Sequence, residues 1–175
     1  EVQASIVENL EEELAADILE EMEPDEAADV LGDISADKRE DILEEMEPEE
    51  AEDVKELLTY EDRTAGGLMT TEYIAVPKDL TAQEVIDKIR ELEPEAETIY
   101  YVYVTDSAEH LVGVISLRDL IIAKPSRQVE DFMTQNVIHV HTDADVEEIA
   151  QTLTEYNLLA LPVVNDENEL QGVIT

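Results

Sequence analysis

The side chains best able to do chemistry in this chain are carboxylates, and they are written in repeats. Ile18 to Val30 reads ILEEMEPDEAADV, and 24 residues later Ile42 to Val54 reads ILEEMEPEEAEDV. Carboxylate oxygens are hard donors that hold divalent cations, attract basic partners, or settle at helix N-termini where the macrodipole favours negative charge. So many are present that no single pair identifies an acid and base couple. Two imidazoles, His139 and His141, alternate along a predicted strand and so share one face. No third ligand follows them in the sequence, and zinc is disfavoured there. The stretch HTDADVEEI from His141 lacks the glycine and the acid spacing of a calcium-binding loop. There is no glycine-rich phosphate loop, no nucleophile elbow and no cysteine, so no catalytic arrangement is expected and the chain is read as a non-enzyme.

Composition narrows the partners. The chain has 175 residues, 43% of them hydrophobic, which is enough for packed cores. Against 47 acids stand 10 Lys and Arg, a formal charge of -37 that disfavours nucleic acid and anionic membrane surfaces. Cations or basic proteins are the expected partners. The lack of Cys removes disulfides and thiolate metal sites and suits a reducing compartment. No apolar run reaches the length of a membrane span. The chain is expected to be soluble and to be a piece of a longer protein.

Two grammars position these groups. Residues 1–62 hold 26 acids and 3 bases and show apolar residues at helical spacing, with Pro24 and Pro48 placed near helix starts. Their 24-residue period predicts short helices stacked as a small superhelix. Glu49, Glu50 and Asp53 of the second copy are read as a solvated face. Beyond residue 68 the period changes. Tyr73–Val76, Thr98–Val104, Leu111–Ile115, Val137–His141, Leu159–Val164 and Leu170–Ile174 are read as strands. Helices are expected from Thr81, which opens a capping box with Glu84, and from Asp145 with Glu148. Met69-Thr falls on Met133-Thr at an offset of 64, and Gly113-Val-Ile-Ser116 falls on Gly172-Val-Ile-Thr175 at an offset of 59. This is a second repeat, each unit β-α-β-β-α. The stretch NDENELQG from Asn165 is read as a hairpin turn. The fold class is therefore α+β multidomain: an all-α superhelical repeat domain over 1–62, a linker over 63–68, and two similar units over 69–127 and 128–175.

The tandem units, headed by MTTEYIAV and MTQNVIHV and closed by LVGVISLRDLI and LQGVIT, resemble a pair of CBS domains. Preceded by an acidic helical repeat and YEDRTAGGLMTTEYIAV, and with ETIYYVYV within the first unit, they look like the cytosolic part of the MgtE-type magnesium transporters. The resemblance implies a homodimer joined through its CBS domains on the cytoplasmic face of the cell membrane. It further implies attachment to a transmembrane domain of the same polypeptide, and sensing of Mg2+ that controls the pore. Mg2+ keeps several waters and needs only one or two carboxylates, so acidic surfaces of two domains can share an ion.

By the same resemblance, metal ligation is expected at Asp25 and Asp29 on the helical domain, and at Asp145 and Glu147 on the CBS surface. Gly67 and Thr154 would offer main-chain carbonyls, and Asn157 stands where the family pattern can place an Asp. Asp145 is also the expected N-cap of its helix. ATP is the second expected ligand. Ser116 and Asp119 have the spacing that reads ribose hydroxyls in CBS clefts, Arg118 would meet phosphate, and Tyr101, Ile138, Leu158 and Pro162 would line the adenine pocket. Without a ligand, Ser116 and Asp119 would cap the helix that follows. Two readings compete with the magnesium sensor: an adenine-nucleotide-sensing CBS module of another enzyme or channel, and a scaffold whose acidic repeats recruit a basic protein.

Overall fold

The computed structural model describes residues 2–92 and 100–175. Five helices come first: α1 (Val2–Val7), α2 (Glu12–Glu20), α3 (Pro24–Gly32), α4 (Ala36–Glu45) and α5 (Pro48–Leu57). Pro24 and Pro48 open α3 and α5, where a missing N–H costs nothing. The 24-residue period appears as stacking, with α2 against α4 and α3 against α5. Buried Ala15, Ala16 and Ala27 let the helices approach around Leu19, Leu31, Ile42 and Val54.

The repeated acids have a structural use that the sequence did not show. Ser35 and Glu47, the N-caps of α4 and α5, make no side-chain cap of their own. Glu8 instead accepts from the Ser35 N–H at 3.0 Å and its hydroxyl at 2.6 Å, and Glu20 accepts from the Glu47 N–H at 2.6 Å. One copy of the repeat thus satisfies orphan donors at the helix starts of the next. These hydrogen bonds hold the Glu8 carboxyl below its ordinary range.

The stretch expected to be a linker is a docked turn. Helix α6 (Ala65–Leu68) lies against the second repeat unit, the Ala65 N–H donating to the Ala144 carbonyl and the Gly66 N–H to the Thr142 carbonyl, both at 2.8 Å. The first repeat unit follows as β1 (Ala75–Pro77), α7 (Ala82–Leu92), β2 (Tyr101–Thr105), β3 (Leu111–Ser116) and α8 (Leu117–Ile122). A 3-10 turn at Val129–Asp131 leads to the second, β4 (Val140–His141), α9 (Val146–Tyr156), β5 (Leu161–Val164) and β6 (Leu170–Ile174). Each unit carries a three-stranded sheet, ordered β1-β2-β3 and β4-β5-β6, with the first pair parallel and the second antiparallel. Thr98 and Ile99, read as the start of the second strand, lie outside the described residues.

The units exchange their leading segments. Thr70 pairs with Val173 of β6 through two hydrogen bonds of 2.9 and 3.0 Å, and Thr134 pairs with Val114 of β3 at 2.8 and 3.0 Å. Met69 accordingly packs on Gly172 and Met133 on Gly113, each across the unit boundary. The hairpin tips repeat this symmetry, with Glu109 and Asn168 both left-handed at φ 64° and 65°. The first unit has its own core of Ile74, Val76, Val85, Val102, Val104 and Ile115. The second shares one continuous core with the helices, which includes Val140, Ile149, Leu161 and Val163 together with Leu19, Leu31, Ile42, Ala65 and Met69.

Candidate metal site between the helical domain and the CBS pair

Helix α3 carries the two leading acids. Asp25 lies in its first turn and Asp29 one turn later, on the same face. Asp25 is half-buried, and its Oδ1 is shut away from solvent with no hydrogen-bond partner. Burial pushes the Asp25 carboxyl up, the N–H groups of Asp25 and Glu26 offset this in part, and the charges of Glu23 and Glu26 add to the rise. Asp29 is also pushed up, first by burial and then by the negative charges of Asp62, Asp33 and Glu26. Asp29, Asp33, Asp62 and Gly67 line one cleft of about 540 Å3, together with Arg39 and Gln3. Gly67 is packed so closely that an added Cβ would run into the Glu61 carbonyl oxygen.

On the CBS side, Asp145 forms a bridge with Thr64, which stands three residues from Gly67. It is the N-cap of α9, accepting from the Glu148 N–H at 2.9 Å. Glu147 is exposed in the first turn, while the Thr154 carbonyl accepts from the Asn157 N–H at the far end of α9. The nine residues from Asp145 to Thr154 span roughly 13 Å of helical rise, so one ion cannot hold both. Of the candidates, Asp29 and Gly67 share the cleft, Asp25 lies one turn earlier on α3, Asp145 and Glu147 stand at the start of α9, and Thr154 and Asn157 at its end. Asn157 is left-handed at φ 50°, a conformation that Asn tolerates and that accounts for its presence as a C-cap.

Oxygen donors with an orphaned buried acceptor and mutually repelling carboxylates fit a hard divalent cation such as Mg2+. Among the described residues no three His, Asp or Glu side chains close into a complete metal cluster. Mg2+ keeps several waters and needs only one or two carboxylates. Asp33 and Asp62 were not singled out in the sequence. Asp53 requires a correction, because it is not on a solvated face. It is half-buried, its carboxyl pushed up by burial and by Glu50, Glu52 and Glu49, with the nearby Thr71 hydroxyl offsetting this in part. It lines a second acidic cleft of about 220 Å3 with Glu20, Glu49, Glu50 and Glu72. Its repeat position gave the signal, since Asp53 lies 24 residues after Asp29.

The nucleotide candidates fall into two groups. Tyr101 stands opposite Ser116 in the β2–β3 register. Ser116 caps α8, its Oγ accepting from the Asp119 N–H at 3.1 Å and donating to Asp119 Oδ2 at 2.7 Å, with Arg118 in the same turn. On the second unit, Ile138 and Leu158 pack against the core shared with the helices, and Pro162 is buried in β5 opposite Val173. The cavity beside Tyr101, shared with Tyr73, Tyr103 and Ala160, measures about 10 Å3, the size of one water.

Known proteins share this arrangement of domains. Residues 1–63 match the family described as MgtE intracellular N domain, and residues 65–126 and 129–175 match the CBS domain family. A magnesium transporter MgtE of Thermus thermophilus is 48% identical over 119 residues, covering 68% of this chain and 26% of the relative. One from Enterococcus faecalis is 46% identical over 121 residues, covering 69% and 27%. The match thus spans about a quarter of these relatives' length. The crystal structure of the soluble part of a magnesium transporter superposes with a TM-score of 0.92 at 40% identity, covering 99% of this chain and 68% of that one. The cytosolic domain of the Mg2+ channel MgtE in complex with ATP superposes at 0.72 with 35% identity, covering 99% and 81%. Among the described residues no helix is long and apolar enough to cross a membrane. With a helical repeat docked on two exchanged β-α-β-β units, this chain belongs to the MgtE family and comprises its intracellular N domain followed by a CBS-domain pair.

Proposed function

We propose that this chain is the cytosolic Mg2+-sensing and gating region of a magnesium transporter or channel. The observation that carries the reading is the orphaned Oδ1 of Asp25 on the same face of α3 as Asp29, whose carboxylate is crowded by Asp62 and Asp33 beside the docked Gly67 turn. Without a cation these acids repel one another. A divalent ion held by Asp25 and Asp29, with Gly67 and Asp145 on the facing side, relieves the repulsion and favours the domains being closed. Glu147 stands with Asp145 at the start of α9, and Thr154 and Asn157, at its far end, would serve a separate ion. An ion at about ten times its dissociation constant contributes about 1.4 kcal/mol to closure, and several such sites give a steep response.

In this reading residues 1–62 are the sensing domain, 63–68 its joint, and 69–127 and 128–175 the CBS domains. The CBS pair forms a homodimer and passes closure to a transmembrane domain of the same polypeptide at the cytoplasmic face of the membrane. The role is binding and regulation, not catalysis. ATP is a second ligand, supported by the relative solved with ATP and by the Ser116–Asp119 pair at the start of α8. Calorimetric titration with Mg2+ tests the proposal. Heat of binding that is lost on replacing Asp25 and Asp29 together by Ala supports it, and identical isotherms for both proteins overturn it. ATP binding with a conformational response in the absence of divalent ions would favour the nucleotide-sensing alternative.

A further inference from the structure

We propose, resting on the reading of ATP as the second ligand, that a cleft beside α8 receives the nucleotide's phosphate groups and that Lys124 and Arg127 bind them. Asp119, Ile122 and Ala123 recur at three- and four-residue spacing along α8 and its C-cap. With Lys124, Arg127 and Phe132 they line a cleft of about 590 Å3, a volume in the range of small-ligand sites. The chain carries 10 Lys and Arg against 47 acids, and its net charge of -37 repels a polyphosphate. Such a ligand needs a place where cations are brought together, and this cleft has two of the ten.

The backbone fixes both cations. The Arg127 N–H donates to the Lys124 carbonyl at 2.9 Å and closes the turn. The turn is pinned to the start of α7, the Ala82 N–H donating to the Arg127 carbonyl at 2.9 Å and the Gln83 N–H to the Pro125 carbonyl at 3.0 Å. Arg127 Nη2 donates to the Asp131 carbonyl at 2.6 Å, and the guanidinium lies over the Phe132 ring, 5.2 Å from its centroid. A guanidinium has five N–H donors, so this anchoring orients the group and leaves others for phosphate oxygens.

The order of contacts matches the order of groups in a nucleotide. Tyr101 stands opposite Ser116, the Ser116 hydroxyl donates to Asp119 Oδ2, and Asp119 lines the cleft. Base, ribose and phosphates follow one another in the same way. Arg118 is next to Asp119 in sequence and so projects about 100° round the helix from it. On the Asp119 side the positive charge comes from the turn instead. A carboxylate accepts hydroxyl donors and repels phosphate, so the fitting ligand carries both groups at a distance, as a ribonucleotide does.

Calorimetric titrations with adenosine, AMP, ADP and ATP test the proposal, in chelator so that Mg2+ does not neutralise the phosphates. Affinity should rise with each phosphate. Lys124→Gln, at an exposed position, should weaken ATP about tenfold, the loss of one hydrogen bond between charged groups, and leave adenosine unchanged. Arg127→Lys, which keeps the charge and loses the fork, should weaken ATP less than Arg127→Gln. No binding of any nucleotide to the unaltered chain overturns the ATP reading itself. Binding that ignores the number of phosphates, or both substitutions, overturns this proposal alone. Inorganic triphosphate bound as tightly as ATP makes free polyphosphate the occupant and overturns the assignment to a nucleotide.

Discussion

Replacing Asp25 by Asn keeps the shape of the side chain and removes its charge. In the metal-free protein burial and the charges of Glu23 and Glu26 disfavour the ionised carboxyl, and removing the charge relieves a cost of about 1–3 kcal/mol, although the polar atom at Oδ1 stays without a partner. Part of the residue still reaches solvent, which puts the effect at the lower end, about 1 kcal/mol. For a chain of this size that is a rise in Tm of about 2–4 °C. The pH dependence follows from the sign of the shift. The folded carboxyl is raised above its ordinary 3.8, so the folded state binds the proton more readily than the unfolded one. The penalty on the wild type is full at neutral pH, shrinks as pH falls through the raised value, and is gone below the unfolded value. Calorimetry in chelator should therefore show Asp25→Asn more stable at pH 7 and the advantage fading on acidification. With saturating Mg2+ the order should reverse, because the variant loses a ligand. A variant no more stable than wild type in chelator, or one that Mg2+ stabilises equally, would refute the reasoning.

Other outcomes follow from single contacts. Gly172→Ala places a Cβ 2.6 Å from Met69 Cγ and 2.8 Å from the Thr70 carbonyl, which the exchanged bridge holds in place, and should cost about 1–3 kcal/mol by overpacking. For Gly113→Ala the three nearest atoms all belong to the Met133 side chain, the closest being the flexible Sδ at 2.5 Å, so its Tm should fall less. Asp145→Ala should lose about 1 kcal/mol with the α9 cap, whereas Asp145→Ser keeps the cap and isolates the effect on Mg2+ binding measured by titration. With 47 acids against 10 bases, raising NaCl from about 0.05 to 1 M should raise Tm through screening alone, and a Tm insensitive to salt would contradict the unrelieved repulsion.

The elements were legible where local chemistry decides them. The capping box at Thr81 forms as written, Thr81 N–H to Glu84 at 2.7 Å and Glu84 N–H to Thr81 at 3.3 Å, and β6 keeps its expected residues. The turn at Asn165 closes through its own Oδ1, which accepts from Glu167 and Glu169. Strand β1 starts later than expected because the Tyr73 N–H turns back to the Thr71 carbonyl. Long-range choices were not legible. The 64- and 59-residue offsets place Met69 and Gly113 in one unit, but each methionine packs on the other unit's glycine. Nor does a run of glutamates reveal that Glu8 and Glu20 cap helices about a repeat away. The site was half legible. Asp25 and Asp29 rest on family resemblance and helical spacing, whereas Asp62 reaches Asp29 only through the turn that docks α6 on the second CBS unit.

The central claim is that Mg2+ draws the acidic faces of the helical domain and the CBS pair together. Small-angle scattering tests it most directly, on this chain at matched ionic strength, first in chelator and then with Mg2+ at about 20 mM, enough to fill weak carboxylate sites. A smaller radius of gyration with Mg2+, abolished by Asp25→Ala with Asp29→Ala, is the predicted result. Identical profiles with and without Mg2+ would contradict it.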